Sequence, residues 1–174
     1  MNLVVRVLVC SVVLFASSGP AAWAGSKPED VFGGKVLTSA KMFPTQAKSA
    51  QEYITKARKQ TVAKFQEDET NHRWRIYYAA FFRAPVNDLE LRVRVYDVTD
   101  GARKLLATFD EFLSQRGQRA VSSKLDLTRA DVGVNRRLKL VIEDFRGKAL
   151  AEGTVEVFGK VEKHSGQVNF DEED

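Results

Sequence analysis

Cysteine and histidine are almost absent from this sequence, which limits the metal and thiol chemistry available to it. There is one cysteine, Cys10, and there are two histidines, His72 and His164. A zinc site needs three or four ligands at suitable spacing, whereas one histidine lies in a turn-like segment and the other near the C-terminal end. We therefore predict neither a metal centre nor a cofactor.

Motifs for nucleophilic and phosphate chemistry are also missing. The chain has no G-x-S-x-G nucleophile elbow, and neither histidine lies in a segment that would hold it against a serine. Glycines occur singly or in pairs at predicted turns, as at Gly33-Gly34, and they form no phosphate loop. We predict no catalytic residues and a protein that is not an enzyme. A hydrolase without a recognisable motif is the least favoured alternative.

No apolar run is long enough for a comfortable membrane span, which needs about 20 residues. The apolar run at 7–16 follows Arg6 and precedes a Ser-Ser-Gly-Pro break and an Ala-Trp-Ala site, a pattern typical of a secretory signal peptide. We predict that residues 1–24 are removed by cleavage between Ala24 and Gly25. An uncleaved anchor is the alternative. The mature protein is expected to have no transmembrane anchor and to be periplasmic or extracellular.

Cleavage would remove Cys10, so the exported chain would have no disulfide and would depend on its core for stability. The remaining length suits one ordinary domain. We predict a linker at 25–31, a single domain at 32–161 and a polar, acidic tail at 162–174.

Charge is unevenly distributed along the chain. There are 27 Lys and Arg residues against 23 Asp and Glu residues, and positions 171–174 are all acidic. The body is therefore basic, which favours anionic partners and also serves ordinary solubility. Because the protein is predicted to be exported, we expect another envelope or extracellular macromolecule as its partner and no nucleic acid.

One amphipathic helix is predicted near the N-terminal side of the domain. Ser49 and Glu52 have the spacing of a capping box. Behind them an apolar stripe follows helical spacing, and its members are Ala50, Tyr53, Ile54 and Ala57. We expect this helix to lie on a sheet.

From residue 61 onward the hydrophobic period changes to two, which is typical of β-strands. The alternation is cleanest at 89–96, and Asp100-Gly101 between two strand-like runs predicts a hairpin. The spacing of the turns gives about seven or eight strands. We predict a mainly β fold, namely an antiparallel β-sandwich that is loosely immunoglobulin-like. A closed barrel is the alternative.

Four acidic residues flank the predicted hairpin, with Asp97 and Asp100 near its turn and Asp110 and Glu111 beyond its return strand. Calcium prefers several oxygens that converge from loops. The two acidic pairs should lie at opposite ends of the hairpin, and turn chemistry explains Asp100 without an ion. Whether any of the four binds an ion stays open.

A basic and aromatic sheet face is the remaining candidate for a binding surface. It would form if the strands around residues 75 and 94 were antiparallel neighbours, and its members would be Arg73, Arg75, Tyr77, Arg92, Arg94 and Tyr96. Arginines can bind anionic groups while aromatic rings stack on sugars. The alternative is a structural role: the arginines would pair across strands with Glu90, Glu143, Glu152 or Glu156, and aromatics would pack under the helix.

From these features we predict an exported, non-catalytic binding protein of a bacterial-type cell envelope or the extracellular space. It would bind another macromolecule through a sheet face or loops. The alternative is a binder of anionic glycan or lipid head groups through the basic and aromatic face.

Overall fold

The computed structural model describes residues 26–160, whereas 1–25 and 161–174 lie outside that part. The predicted signal peptide, its cleavage site between Ala24 and Gly25, and the predicted acidic tail therefore lie outside the described residues. Within the described part, no helix combines the length and the apolar composition that a membrane crossing requires.

The described chain forms eight strands and three short helices, so the predicted mainly β class is confirmed. In chain order the elements are α1 (Pro28–Phe32), β1 (Lys35–Ser39), α2 (Ala50–Gln60), β2 (Lys64–Gln66), β3 (Arg73–Val86), β4 (Glu90–Asp97), β5 (Lys104–Phe112), β6 (Gln118–Thr128), α3 (Arg129–Val132), β7 (Arg136–Glu143) and β8 (Ala149–Phe158). The predicted amphipathic helix is α2. Helix α1 lies mostly inside the segment 25–31, for which the sequence predicts a linker.

All eight described strands belong to one sheet, with the order β5-β4-β7-β8-β1-β3-β6, and β2 also pairs with β8. The sheet is mixed and curls into a half-barrel, so the prediction of a purely antiparallel sheet is wrong, and the two-sheet sandwich is not what forms. The parallel pairs are β1 with β8 and β2 with β8. Their physical reason is α2, because a helical crossover lets β1 and β2 run in the same direction.

The inside of the curl holds the main hydrophobic core. Alternate residues of β3 and β4 point into it, as their sequence alternation predicts. The largest fully buried side chains on these strands are Trp74, Ile76, Tyr78, Phe82, Leu91, Val93 and Val95. Trp74 also donates its indole N–H to the carbonyl of Phe158 at 3.0 Å, which ties β3 to the end of β8.

A smaller cluster lies on the outer face of the sheet, which is the face turned away from the interior of the half-barrel. Ile54 and Ala57 of α2 are buried there together with Phe81 of β3. Phe32 of α1 joins them, with its ring centroid 5.2 Å from that of Phe81. The two helices therefore cover part of the outer face, as predicted for α2.

Helix α2 begins with the hydrogen bond that the sequence predicts. Oγ of Ser49 accepts from the N–H of Glu52 at 3.2 Å. The Glu52 carboxylate reaches one residue further back than a capping box requires and accepts from the N–H of Lys48 at 2.8 Å. It also pairs with Lys56 at 2.7 Å. These bonds fix the start of the helix and thereby the direction of its apolar stripe.

One buried ion pair ties α3 to the segment between β2 and β3. The Glu67 carboxylate is fully buried and accepts from Nε and Nη2 of Arg129 at 2.8 and 2.6 Å. These hydrogen bonds hold the pKa of Glu67 below its ordinary value. His72 Nδ1 lies 3.5 Å from the same carboxylate. A Cβ atom added at Gly159 would collide with Glu67, so a glycine is needed above this pair.

We expect Glu67→Gln to lower the free energy of unfolding by about 3 kcal/mol at pH 7, because it removes the buried carboxylate that accepts two hydrogen bonds from Arg129. The folded pKa of Glu67 is lowered, so its contribution is fully present above its ordinary value of 4.5 and is lost as the pH falls through the folded value. Urea unfolding of both proteins from pH 7 to pH 3 should show the difference shrinking only at the acidic end.

Glu69→Gln is the matched control for this experiment. Glu69 forms an exposed ion pair with Lys160 at 2.7 Å, so its loss should cost less than about 1 kcal/mol. Equal costs for the two substitutions would contradict a stabilising role that is specific to the buried pair.

Candidate binding site at an open end of the sheet

The structure places the six residues predicted to form a basic and aromatic face in two separate groups. Strands β7, β8 and β1 lie between the two groups. One group is on β3 and the other on β4, and the members are Arg73, Arg75 and Tyr77, and Arg92, Arg94 and Tyr96.

The assumption that β3 and β4 are neighbours is wrong. The short connection at 87–89 joins two strands whose inward faces contribute to the same core of the curled sheet. Sheet layers packed face to face lie about 10 Å apart. Three residues in extended form span about that distance. A short link therefore does not require a hairpin here.

Carboxylates accompany the cations of the outer face, as the structural alternative predicts. Arg94 pairs with Glu143 at 3.1 Å and Lys139 pairs with Glu152 at 2.6 Å. On the other group, Arg75 pairs with Asp126 at 2.7 Å. Arg75 and Arg94 are therefore held in cross-strand ion pairs, whereas Arg73 and Arg92 have no ion pair among residues 26–160.

Tyr96 takes part in the same set of contacts. The Arg103 guanidinium lies 3.9 Å from the centre of its ring, and Nη1 of Arg94 donates to its hydroxyl at 3.4 Å. The ring is thus covered by a cation of its own chain and is not a free stacking platform.

Two of the four acidic residues near the predicted hairpin, Asp97 and Glu111, have protein partners. Asp97 accepts from the N–H of Thr99 at 2.9 Å, and Glu111 accepts from the hydroxyl of Tyr78 at 2.5 Å. Burial, followed by this hydrogen bond, raises the pKa of Tyr78. Among residues 26–160 no group of three or more His, Cys, Asp or Glu side chains is arranged to hold a metal ion. His164 lies outside those residues.

A gap in the sheet opens where β1 begins. Lys35 pairs with Phe81 of β3 on one side and with Glu152 of β8 on the other. Before Lys35 the chain leaves the sheet at Gly34, whose φ of 81° an L side chain rarely adopts. Strands β3 and β8 continue without a strand between them. We call this gap, bounded by residues 82–86 of β3 and 149–151 of β8, the notch.

At its β1 end the notch is as wide as one strand. Neighbouring strands lie about 4.8 Å apart, so β3 and β8 are held about 10 Å apart by β1, and this separation fixes the opening next to it. Strand β1 is antiparallel to β3 and parallel to β8. A strand added in line with β1 and in the same direction would therefore pair antiparallel with β3 and parallel with β8.

Backbone groups at the edges of the notch lack regular strand partners. On the side that faces the notch, pairing of β3 with β1 ends at Phe81, opposite Lys35. On the notch side of β8, pairing with β1 is given only at Glu152, so within the described chain residues 149–151 have no strand partner on that side. Such edges can accept an added strand.

The turn between β7 and β8 forms one wall of the notch. The Asp144 carboxylate accepts from the N–H groups of Arg146 and Lys148 at 3.0 and 2.8 Å. Gly147, with φ of 80°, completes the turn. This geometry turns Phe145 toward solvent, where its side chain is 53% exposed, with the Arg146 guanidinium 5.1 Å from the ring centre.

The walls enclose a cleft of about 620 Å³, lined by residues 82–88 and by parts of 144–150. A smaller pocket of about 250 Å³ shares Arg83 with it and continues to Gly34. The lining combines apolar residues such as Val86 and Leu150 with polar and charged ones.

The cations of the cleft are free of carboxylate partners. Within the described chain, Arg83, Arg146 and Lys148 have no ion pair. The cleft also has two carboxylates, Asp88 and Asp144, and the Asp144 carboxylate accepts two backbone N–H groups. The notch therefore combines open strand edges, an exposed aromatic ring and unpaired positive charge.

Comparisons with known proteins add little to this description. No family model matches the chain, and no curated protein matches it. Among solved structures, a β-glucosidase from Listeria innocua in complex with gluconolactone is similar to 57% of this chain, with 15% identity and a TM-score of 0.33. The chain spans 15% of the length of that enzyme. A similarity this weak carries no argument about fold or function.

Gly34→Ala should destabilise the protein by more than Gly101→Ala does. Both glycines have nearly the same positive φ, 81° and 82°, so both substitutions incur backbone strain of about 1–2 kcal/mol. Only at Gly34 would the new Cβ also meet a side chain, because it would lie 2.8 Å from Nε of Arg83.

A double-mutant cycle isolates that contact. Urea unfolding of the two glycine variants, each alone and with Arg83→Ala, should show the excess cost of Gly34→Ala disappearing when Arg83 is removed. If the excess persists without the Arg83 side chain, then Arg83 does not lie over Gly34 at the floor of the notch.

Proposed function

We propose that this protein is exported and is a non-catalytic binding protein that holds an extended segment of another protein in the notch. The observation that carries the proposal is the dual pairing of Lys35, beyond which β3 and β8 continue without a strand between them. Strand addition of this kind uses backbone hydrogen bonds for affinity and side-chain pockets for specificity.

The side chains around the notch suit such a partner. Phe145 offers an exposed aromatic ring, and Leu89 in the neighbouring connection is 43% exposed. Large exposed aromatic and aliphatic side chains next to a cleft are typical of protein interaction sites. The free Arg83, Arg146 and Lys148 would orient the bound segment through its carboxylates.

Binding of anionic glycan or lipid head groups through the outer face is the less supported alternative. Its cations lie beside carboxylates, as in the pairs of Arg94 with Glu143 and Lys139 with Glu152. A surface that binds a polyanion gains most from cations that are not already neutralised.

Export is the part of the proposal that depends on residues 1–24. Expressed in a bacterium, the full chain should yield a mature protein whose intact mass corresponds to a start at Gly25. Ala24→Arg should block this cleavage, because the site requires a small residue there. Trp23→Leu is the matched control and should leave cleavage unchanged. A mature protein that retains residues 1–24 would contradict the proposal of export by cleavage.

The binding site is tested by replacing Phe145 with the photoreactive p-benzoylphenylalanine in the exported protein. After illumination of native envelope and culture fluid, we expect a reproducible covalent adduct with one protein. Arg83→Glu combined with Lys148→Glu should reduce the yield of this adduct.

Leu105 is the control position for the photoreactive residue. It is similarly exposed, at 48%, and it lies on the edge strand β5, far from the notch in the sheet order. Equal yields of the same adduct from positions 105 and 145, or none from position 145, would overturn the notch as the binding site.

A further inference from the structure

We propose that residues 170–174 of this chain occupy the notch when no partner is bound, so that the protein inhibits its own binding site. The inference rests on the proposed function of the notch as a site for an extended segment. These residues lie outside the described part of the chain, and their sequence is Phe-Asp-Glu-Glu-Asp.

Charge complementarity is the first argument. The segment has four consecutive acidic residues, and the notch has three cations without an ion pair in the described chain, namely Arg83, Arg146 and Lys148. Successive side chains of an extended segment point to opposite sides. An extended segment 170–174 would therefore present carboxylates on both of its sides. Those on one side could reach Arg83 of β3, and those on the other could reach Arg146 and Lys148 in the turn between β7 and β8.

Shape is the second argument. Phe170 precedes the acidic residues, and the lining of the cleft includes the apolar residues Val86 and Leu150. A single extended segment needs an opening of about two inter-strand distances, or about 10 Å. The separation of β3 and β8 beside β1 provides that opening.

Reach is the third argument. The notch lies beside residues 149–151, at the N-terminal end of β8. The last described residue, Lys160, follows the C-terminal end of β8. At about 3.3 Å per residue, the return path from Lys160 to position 151 is about 30 Å. An extended chain that continued from Lys160 would carry residues 170–174 about 33 to 46 Å away from it. This length is sufficient for the return path to the notch.

The experiment uses the full exported chain, purified without partner, with Phe145→p-benzoylphenylalanine. Illumination at low protein concentration should give an adduct between position 145 and a peptide that contains residues 170–174, identified by mass spectrometry. The same residue placed at position 105 should give no such adduct. Absence of the adduct from position 145 would overturn the inference.

Charge dependence is tested by neutralising the segment with Asp171→Asn, Glu172→Gln, Glu173→Gln and Asp174→Asn. We expect the adduct yield to fall about tenfold, which corresponds to the loss of two or so exposed ion pairs. Arg83→Glu with Lys148→Glu should have a similar effect, and combining it with lysine at the four acidic positions should restore the yield. An unchanged yield in the neutral variant would overturn the charge argument and with it the inference.

A mixture of isotope-labelled and unlabelled protein identifies the occupant. Adducts within one chain support the inference, whereas mixed adducts would show that a second copy supplies the segment and would overturn it. The native-envelope experiment then separates the two proposals. If position 145 captures a partner but never the segment, only the inference fails; if it captures neither, the proposed function fails too.

Discussion

The pairing of one short strand on both of its sides is the constraint on which the rest of the structure depends. Strand β1 has only the residues Lys35–Ser39, yet it joins the arm made of β5, β4, β7 and β8 to the arm made of β3 and β6. Because Gly34 takes the chain out of the sheet immediately before β1, the joint is shorter than the strands that it connects. The half-barrel is closed around its core at one end of β1 and open at the other, and the notch is that opening.

The sequence allowed prediction of the elements much better than of their arrangement. Helix α2 could be predicted because its cap and its apolar stripe are local, with Ser49 within hydrogen-bonding distance of the Glu52 N–H. The inward faces of β3 and β4 could be predicted from alternation. Alternation specifies a face and not a neighbour, so it could not show that β4 pairs with β7 or that Lys35 meets both Phe81 and Glu152. The notch could not be predicted because its boundary comes from segments far apart in sequence, and each segment by itself has only the pattern of a turn or a strand end.

The arginines of the predicted face show why side-chain chemistry alone did not identify the site. Val141 of β7 points to the outer face and is nevertheless fully buried. In register it lies between Arg94 and Glu152, and both of these belong to ion pairs with neighbouring strands. The aliphatic stems of such long side chains cover apolar surface while their charged ends stay in water. Arg94 and Lys139 on this face therefore act as a cover for the sheet, whereas Arg83, Arg146 and Lys148 at the notch have no ion pair in the described chain.

An open strand edge is also the feature through which sheets aggregate, and the geometry of the notch limits that risk. An edge strand of a second folded copy is already bonded to its own sheet, so it cannot enter an opening bounded by backbone on both sides. Pro85 removes one N–H donor from the β3 edge, and the unpaired Arg83 repels other basic segments. What can enter is a single extended segment that brings no sheet with it and whose carboxylates offset the cations. The same short β1 that leaves the half-barrel open thus selects the kind of chain that can fill it.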